Sequence, residues 1–300
     1  MSDYKVLILK RFYLEGASAK LSGVVFGEPH LPPLVIIHGM RDHALGLFEV
    51  IESLGADYFV IAPDLRGHGH SEKTGIYTMV QFVADVKAVF NHFDISRAVL
   101  VGHSLGGHIA LRFSATFPEL ITKLVLLDGL GPPGRQADPV QLAQRFRDGV
   151  DLVLSISGER RKISSVSEAV SRLRQNNPQM SSSLAQLVVK EGTEPHPEGG
   201  VRWRWESAVN MIWHTFSQTE SESLFVTIKC PVLVVTGEHS LNYWTAMRPY
   251  LNDQVFYEAE LARRTKLFSN ARHVTIADAG HMLHYDQPLK LLAALRSFID

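Results

Sequence analysis

The sequence predicts an α/β protein whose mostly parallel sheet is covered by helices on both faces. Apolar runs of strand length alternate with segments of helical period along most of the 300 residues. These runs are almost continuously apolar, which is typical of strands buried on both sides. A hydrophobic content of 45% is sufficient for a large core. In such a sheet, the loops at the carboxyl ends of the strands carry the chemistry.

The strands and helices can be placed in order along the chain. The opening antiparallel pair is predicted at residues 6–9 and 21–26. Six further runs are predicted as buried strands, at 34–37, 58–62, 98–101, 124–127, 232–235 and 274–276. Helical periodicity marks residues 44–54, 77–93, 105–117 and 288–299.

Residues 131–227 interrupt this alternation. No convincing buried strand occurs there, and helical spacing is found at residues 139–156, 164–175 and 181–191. Turns are expected at 132–134 and 195–200, which are rich in proline and glycine. We therefore predict a core domain of residues 1–130 and 228–300, with residues 131–227 as a helical insertion after the sixth strand.

Charge and cysteine content exclude several classes of protein. Thirty basic and 31 acidic residues give a net charge of −1, so nucleic-acid and anionic-membrane partners are not expected. The single cysteine, Cys230, excludes an internal disulfide and is expected to be a buried, inert thiol. The N-terminal residues resemble neither a signal peptide nor a membrane span. A cytoplasmic location is the expectation.

The segment Gly102-His103-Ser104-Leu105-Gly106 lies between a predicted strand and a predicted helix. In a G-x-S-x-G turn of this kind, the serine adopts a strained conformation that lifts its hydroxyl clear of the sheet, and the flanking glycines leave it room. The context predicts a nucleophile elbow with Ser104 as the nucleophile. An ordinary tight turn is the alternative.

A serine hydroxyl needs a neighbouring base to be nucleophilic at neutral pH. His281 follows the last predicted strand and precedes the last helix, so its loop can reach back over the sheet to Ser104. His284 is the local rival, but it lies closer to the helix, and Gly280 gives His281 the more flexible approach. His281 is therefore the predicted base.

The developing oxyanion requires two preorganised N–H donors. His38-Gly39-Met40 follows the predicted strand 34–37, and Leu105 begins the helix after Ser104. The backbone amides of Met40 and Leu105 are the predicted donors.

Taken together, these motifs resemble the α/β-hydrolase superfamily, in its cap-bearing branch. The resemblance extends from about residue 20 to the C-terminus and rests on five segments in the family's order: His38-Gly39, the turn 64–71, the elbow at Ser104, the turn 237–239 and Gly280-His281. It implies an eight-stranded, mainly parallel sheet, a helical cap after the sixth strand, and a Ser-acid-His triad that needs no cofactor or metal. It also implies that Asp64 and Arg66 stabilise their turn.

The triad acid departs from the usual family pattern. Relatives commonly carry aspartate in a Gly-x-x-Asp turn after the seventh strand, but here that turn ends in Ser240. Some relatives place the acid at the end of the sixth strand, where this chain has Asp128. A carboxylate buried at a strand end needs a partner such as an imidazole N–H. Asp128 is preferred, while Glu238 and the absence of a functional acid stay open.

These residues predict a serine hydrolase that cleaves a carboxylic ester or related small-molecule acyl substrate through an acyl-enzyme on Ser104. A carbon-carbon bond hydrolase, thioesterase or lactonase is the alternative, and a non-catalytic binding member or an acyltransferase is ranked lower. Predicted substrate contacts are His43, Trp203, Trp205 and Met282, although the two tryptophans would also suit the packing of the insertion.

Two further points concern polar substrates and assembly. A carbon-carbon hydrolase would need polar side chains to hold its substrate, for which the candidates are Arg41, His43, Arg202 and Arg204. A homodimer is possible. Residues 253–270 are longer than a simple connection requires and would suit an extra helix or a contact surface.

Overall fold

The computed structural model describes residues 9–16, 18–131, 139–155, 161–247 and 252–300. Its main sheet has eight strands in the order β1-β2-β4-β3-β5-β6-β9-β10. The strands are β1 (Lys10–Glu15), β2 (Lys20–Phe26), β3 (Pro33–Ile37), β4 (Phe59–Pro63), β5 (Ala98–His103), β6 (Ile121–Leu127), β9 (Val232–Gly237) and β10 (Ala271–Ile276). A separate hairpin pairs β7 (Thr193–Pro195) with β8 (Val201–Trp203).

The main sheet is parallel except at one edge. β2 pairs antiparallel with both β1 and β4, whereas every other neighbouring pair in the sheet is parallel. Apolar side chains of the central strands alternate between two cores, so that Leu34 and Ile36 face one cluster and Val35 and Ile37 the other. Both faces are buried, which explains the continuous apolar runs. The predicted fold class is confirmed.

Most of the predicted first strand lies outside the described residues. It was placed at residues 6–9, of which only Leu9 is described, and the observed strand is Lys10–Glu15. Edge strands accept charged side chains because one side and one edge remain in water. The Arg11 side chain leaves the sheet edge and donates to Asp64 Oδ2 at 3.2 Å and Glu191 Oε2 at 2.9 Å.

Helices cover the sheet as the periodicity predicted. They are α1 (Phe48–Leu54), α2 (Met79–His92), α3 (Leu105–Thr116), α4 (Pro139–Ser155), α5 (Val166–Asn176), α6 (Ser182–Gly192), α7 (Gln218–Phe225), α8 (Ser240–Met247), α9 (Gln254–Thr265), α10 (Leu283–Asp286) and α11 (Pro288–Ile299). Short 3₁₀ segments span Ala44–Leu47, Pro118–Leu120 and Ser207–Trp213. α2 begins at a capping box in which Thr78 and Gln81 satisfy each other's backbone N–H groups.

Three helices, the β7-β8 hairpin, a 3₁₀ segment and α7 lie between β6 and β9. α4, α5 and α6 fall where helical spacing was found, and the predicted turn at 195–200 lies in the hairpin, whereas the turn at 132–134 lies outside the described residues. Side chains from the 3₁₀ segment and α7, including Val209 and Phe225, pack in the same core as Leu105 and Ile109 of α3. The C-terminal part of the segment 131–227 therefore packs directly on the main core.

Residues 253–270 contain the helix α9, and one of its side chains contacts the loop that follows β6. Arg264 is buried and donates to the carbonyl oxygens of Leu130 and, at 3.0 Å, Gly131. Its Nε lies 3.1 Å from Glu222 of α7, while burial lowers the pKa of the guanidinium to about 10. α9 thus fixes the point at which the chain leaves β6.

The cysteine and the helices agree with the composition of the chain. Cys230 is buried, and this burial raises the pKa of its thiol to about 11, as suits an inert side chain. Within the described ranges, no helix has both the length and the apolar composition needed to cross a bilayer.

The turn after β4 is held by a buried ion pair and by backbone hydrogen bonds to Asp64. Arg66 donates to Asp85 of α2 through Nε at 2.6 Å and Nη2 at 2.7 Å, and both side chains are buried. Asp64 accepts from the N–H groups of Ala44 and His70 at 2.9 and 3.0 Å. These contacts give Asp64 and Arg66 the structural role that the family resemblance implied.

Removing Asp85 should destabilise the fold strongly. Asp85→Ala leaves a buried guanidinium without its bidentate carboxylate, and such a loss costs about 3–5 kcal/mol. Urea denaturation measures this loss as a decrease in the free energy of unfolding. Asp57→Ala is the matched control, because its pair with Arg296 is surface-exposed and contributes at most about 1 kcal/mol. Equal losses in the two variants would contradict the argument.

Candidate active site

Ser104 lies at the turn between β5 and α3 in a strained backbone conformation. Its φ of 50° and ψ of −115° fall where a residue with a side chain rarely lies. A Cβ atom on Gly106 would lie 2.3 Å from the carbonyl oxygen of Ile37, and one on Gly102 would lie 2.3 Å from that of Gly106. Glycine is therefore required on both sides of this turn.

Three buried side chains form one hydrogen-bonded chain at this turn. His281 Nε2 lies 3.0 Å from Ser104 Oγ, and His281 Nδ1 lies 2.5 Å from Asp128 Oδ2. An ionised carboxylate only accepts, so Nδ1–H donates to Asp128 and Nε2 is left to accept from the serine hydroxyl. This is the tautomer that a general base requires.

The structure shows which of the two candidate acids, Asp128 or Glu238, contacts His281. Asp128 follows β6 with a φ of 43°, and its backbone N–H donates to Val235 of β9 at 2.7 Å. Glu238 is exposed and accepts from the backbone N–H of Asp278 at 3.0 Å. At the position of the usual family aspartate, Ser240 accepts from the N–H of Gly237. Asp128 alone of these three contacts the imidazole of His281.

The structure also shows which of the two candidate histidines, His281 or His284, lies at Ser104. His284 is buried one turn beyond His281, and its Nε2 lies 3.7 Å from Asp42 Oδ2. It contacts the ring of His103 edge-on, with the centroids 4.6 Å apart. His284 therefore belongs to the layer beneath the reacting groups, and His281 is the histidine at Ser104.

The predicted oxyanion donors lie beside the serine. Leu105 is the first residue of α3, where backbone N–H groups have no acceptor inside the helix and the helix dipole is positive. A Cβ on Gly39 would lie 3.2 Å from Ser104 Cβ, so the loop that carries Met40 passes directly by Ser104. Within the described residues, neither the Met40 nor the Leu105 N–H has a hydrogen-bond acceptor.

Two aromatic residues of α8 enclose His281, and sequence reasoning did not assign either to the site. The ring of Tyr243 stacks on the imidazole with centroids 3.9 Å apart and planes inclined by 7°. Trp244 contacts the imidazole edge-on at 5.0 Å. No pattern in the sequence marks them, because an aromatic pair in a short amphipathic helix is equally typical of core packing.

His103 supports the loop that carries His281. Its Nε2–H donates to the carbonyl oxygen of His281 at 2.9 Å. Burial lowers the pKa of His103 well below its usual value, and the neighbouring His284 and His281 add to this effect. His103 is therefore a neutral donor that fixes the backbone of His281.

Three of the predicted substrate contacts have structural partners. His43 is buried; its Nε2–H donates to the Val188 carbonyl of α6 at 2.9 Å, and its Nδ1 accepts from the N–H of Leu45. Trp203 packs in a small cluster with Ile163, and Met282 packs in another that contains buried residues of α6. Their substrate contacts stay predictions.

The fourth predicted contact, Trp205, lies near the loop after β3. The guanidinium carbon of Arg41 is 5.1 Å from the centre of the Trp205 ring. A further tryptophan, Trp213, donates through Nε1 to the sulfur of Met40 at 3.3 Å. Trp205 and Trp213 thus contact the loop that carries the predicted oxyanion donor.

A buried polar layer lies under these groups. Asp42 accepts from the N–H of His43 at 2.8 Å and from the hydroxyl of Tyr285 at 3.3 Å. Burial acts to raise the pKa of Asp42, but the contact with His284 and the nearby imidazoles of His43 and His38 lower the pKa overall. Asp42 is therefore a buried carboxylate whose charge is balanced by donors and imidazoles.

These features define a member of the α/β-hydrolase class. The family profile described as alpha/beta hydrolase fold matches residues 32–288, and the chain belongs to that family. The chain is similar to Serine hydrolase-like protein 2 of Homo sapiens, with 24% identity over 93% of this chain and 90% of the relative. It is 25% identical to Esterase YbfF of Escherichia coli, over 89% and 93%.

Solved structures give the same result. The Thioesterase Domain From Curacin Biosynthetic Pathway superimposes with a TM-score of 0.81 at 26% identity, covering 96% of this chain and 99% of that one. The E-2-(Acetamidomethylene)succinate Hydrolase has a TM-score of 0.76 at 21% identity, covering 98% of this chain and 100% of that one, which supports the fold alone.

The buried histidines should make the protein sensitive to acid. Burial lowers the pKa of His38, His68 and His103, to about 3 for His68. The unfolded chain therefore binds protons below about pH 6.5, where the folded protein does not. Stability is present above pH 6.5 and is lost as the pH falls, for His68 until about pH 3.

Urea denaturation between pH 7.5 and 4.5 measures this loss. His68→Asn retains a donor toward the Arg66 carbonyl, which His68 Nδ1 contacts at 3.1 Å, and removes one titrating group. The pH slope of the unfolding free energy should decrease by up to about 1.4 kcal/mol per pH unit. His30→Asn is the control, because His30 is exposed. The expected acid sensitivity is contradicted if His68→Asn, like His30→Asn, keeps the pH slope of the parent's unfolding free energy.

Proposed function

We propose that this protein hydrolyses carboxylic esters through an acyl-enzyme on Ser104. The observation that carries the proposal is the buried chain from Ser104 through His281 to Asp128, with distances of 3.0 and 2.5 Å, at a strained strand-to-helix turn. An unactivated serine has no need of such an arrangement. The similarity to an esterase and to serine hydrolase-like proteins supports the same chemistry.

Acylation begins with transfer of the Ser104 proton to His281 Nε2 while Oγ attacks the ester carbonyl carbon. Asp128 stabilises the resulting imidazolium through Nδ1–H. The carbonyl oxygen becomes an oxyanion and accepts from the N–H groups of Met40 and Leu105. His281 then gives its proton to the alkoxide as the C–O bond breaks, and the alcohol leaves.

Deacylation repeats these steps with water in place of serine. His281 takes a proton from water, and the hydroxide attacks the acyl carbon on the same side of the site. The second oxyanion rests on the same two amides. Collapse breaks the bond to Ser104 Oγ, which recovers its proton from His281, and the carboxylic acid is released. No cofactor or metal enters either half.

The segment 131–227 is assigned to a cap that covers a small-molecule acyl substrate, with residues 1–130 and 228–300 as the core domain. Two contacts support this arrangement: His43 to Val188 of α6, and Trp213 to Met40. Both join the segment to the loop beside Ser104. The proposed location is cytoplasmic, because a chain with a single cysteine forms no internal disulfide and suits a reducing compartment.

A thioester is the second candidate substrate. The 26% identity to a thioesterase domain favours it, and the same acyl-enzyme would form with a thiolate as the leaving group. Lactone and carbon-carbon bond hydrolysis stay lower alternatives. The hydrogen-bonded chain from Ser104 to Asp128 argues against the non-catalytic alternative, since the missing acid at Ser240 was its main support.

Hydrolysis of p-nitrophenyl esters from acetate to laurate tests the proposal. Ser104→Ala should abolish turnover, and Asp128→Asn should lower kcat by roughly 10⁴-fold because it no longer holds the required imidazole tautomer. Glu238→Gln should retain the activity of the parent, because Glu238 is exposed and bonded to Asp278.

The variant results also separate the alternatives. Activity that persists in Asp128→Asn but is lost in Glu238→Gln would contradict the assigned acid. If the parent shows no Ser104-dependent turnover of any ester, the ester assignment fails.

A further inference from the structure

A positively charged residue, Arg41, directly follows Met40, which is a predicted oxyanion donor. Its φ is 64°, a left-handed conformation that is unfavourable for a residue with a side chain. Ser104 and Asp128 share such conformations at 50° and 43°. Strain of this kind persists only where the surrounding structure enforces it, and it concentrates at functional sites.

The guanidinium group of Arg41 is held from two sides. Its central carbon lies 5.1 Å from the ring centre of Trp205, and its Nη2 donates to Asn210 Oδ1 at 3.1 Å. A planar guanidinium on an indole face loses little further freedom when it binds a ligand. The group is therefore preorganised, while Arg41 as a whole is exposed.

The other candidate groups for a polar substrate already have partners. Arg202 and Arg204 both bind Glu194, at 3.0 and 3.3 Å. His43 is bonded through both ring nitrogens. For Arg41, no carboxylate oxygen of a described residue lies within 4.0 Å of a guanidinium nitrogen. Of these four groups, Arg41 alone keeps its carboxylate-binding edge open within the described chain.

Arg41 is also close to the reacting groups. Gly39, two residues earlier, would place a Cβ 3.2 Å from Ser104 Cβ. Burial raises the pKa of the Tyr243 hydroxyl, and the charge of Arg41 acts on that hydroxyl in the opposite direction. Tyr243 in turn stacks on His281 at 3.9 Å. The positive charge of Arg41 thus acts on the ring that stacks on His281.

We propose that Arg41 binds a carboxylate of the substrate, so that the preferred substrates are esters carrying a negative charge a few bonds from the scissile carbonyl. This inference rests on the proposed ester hydrolysis at Ser104. A guanidinium forms paired hydrogen bonds with a carboxylate, and these would orient the ester between Ser104 and the Met40 and Leu105 amides. The carboxylate belongs to either the acyl or the alcohol part.

Matched pairs of substrates distinguish these two positions. Mono-p-nitrophenyl glutarate carries the charge on the acyl side, and p-nitrophenyl pentanoate is its neutral counterpart. On the alcohol side, 3-acetoxybenzoate is compared with phenyl acetate. The quantity measured is the ratio of kcat/KM for the charged ester to that for the neutral ester, which cancels any general loss of activity in a variant.

The parent should prefer the charged ester of at least one pair. Arg41→Met should lower that ratio by roughly tenfold to a hundredfold, mostly through KM, because a charge-assisted hydrogen bond is lost. Arg41→Lys keeps the positive charge but lacks the planar guanidinium group. Its ratio should therefore lie between those of the parent and Arg41→Met. Arg202→Gln, which removes a charge already paired with Glu194, should keep the ratio of the parent.

A ratio that Arg41→Met leaves within twofold of the parent for both pairs overturns the inference, even where Ser104-dependent hydrolysis is normal. If Ser104-dependent hydrolysis itself is absent, calorimetric binding of mono-p-nitrophenyl glutarate to Ser104→Ala still decides the role of Arg41. Binding that weakens tenfold or more on adding Arg41→Met supports it. Absent or unchanged binding overturns it.

Discussion

The site depends on the parallel alignment of four neighbouring strands. In β5, β6, β9 and β10 the register places His103 beside Leu127, Leu127 beside Val235, and Ile276 beside Gly237. Their carboxyl ends therefore meet at one edge of the sheet. Ser104 and Asp128 each continue directly from a strand end, and the loop after β10 brings His281 between them. Hydrogen bonds of the sheet thus set the distances among the reacting groups.

A second layer of buried polar groups lies under this edge of the sheet. Buried polar side chains are tolerated only when they are bonded or neutral, and both solutions occur here. Asp42 keeps its charge by accepting from backbone and tyrosine donors, whereas burial holds His103 neutral. The neutral imidazole of His103 can then support the His281 carbonyl without adding positive charge beside the base.

Side chains outside the shared motifs decide what the site accepts. The position of Arg41 over Trp205 follows from a residue of the β3 loop meeting a residue some 160 positions later in the chain. Likewise, His43 bonds to α6, and Tyr243 stacks on His281. Such contacts have no local sequence pattern, because each partner taken alone resembles a surface or core residue.

The sequence by itself determined the sheet, the elbow and the base, because these depend on local patterns: apolar runs, helical periodicity, and glycines where a Cβ would collide. It did not predict β1 at residues 10–15, since an edge strand need not be apolar. It also left open whether the acid is Asp128, Glu238 or neither. Only the tertiary structure decided which carboxylate contacts His281 and which of the candidate arginines, Arg41, has no carboxylate partner among the described residues. Both depend on side chains brought together from distant strands, and chain order does not encode those distances.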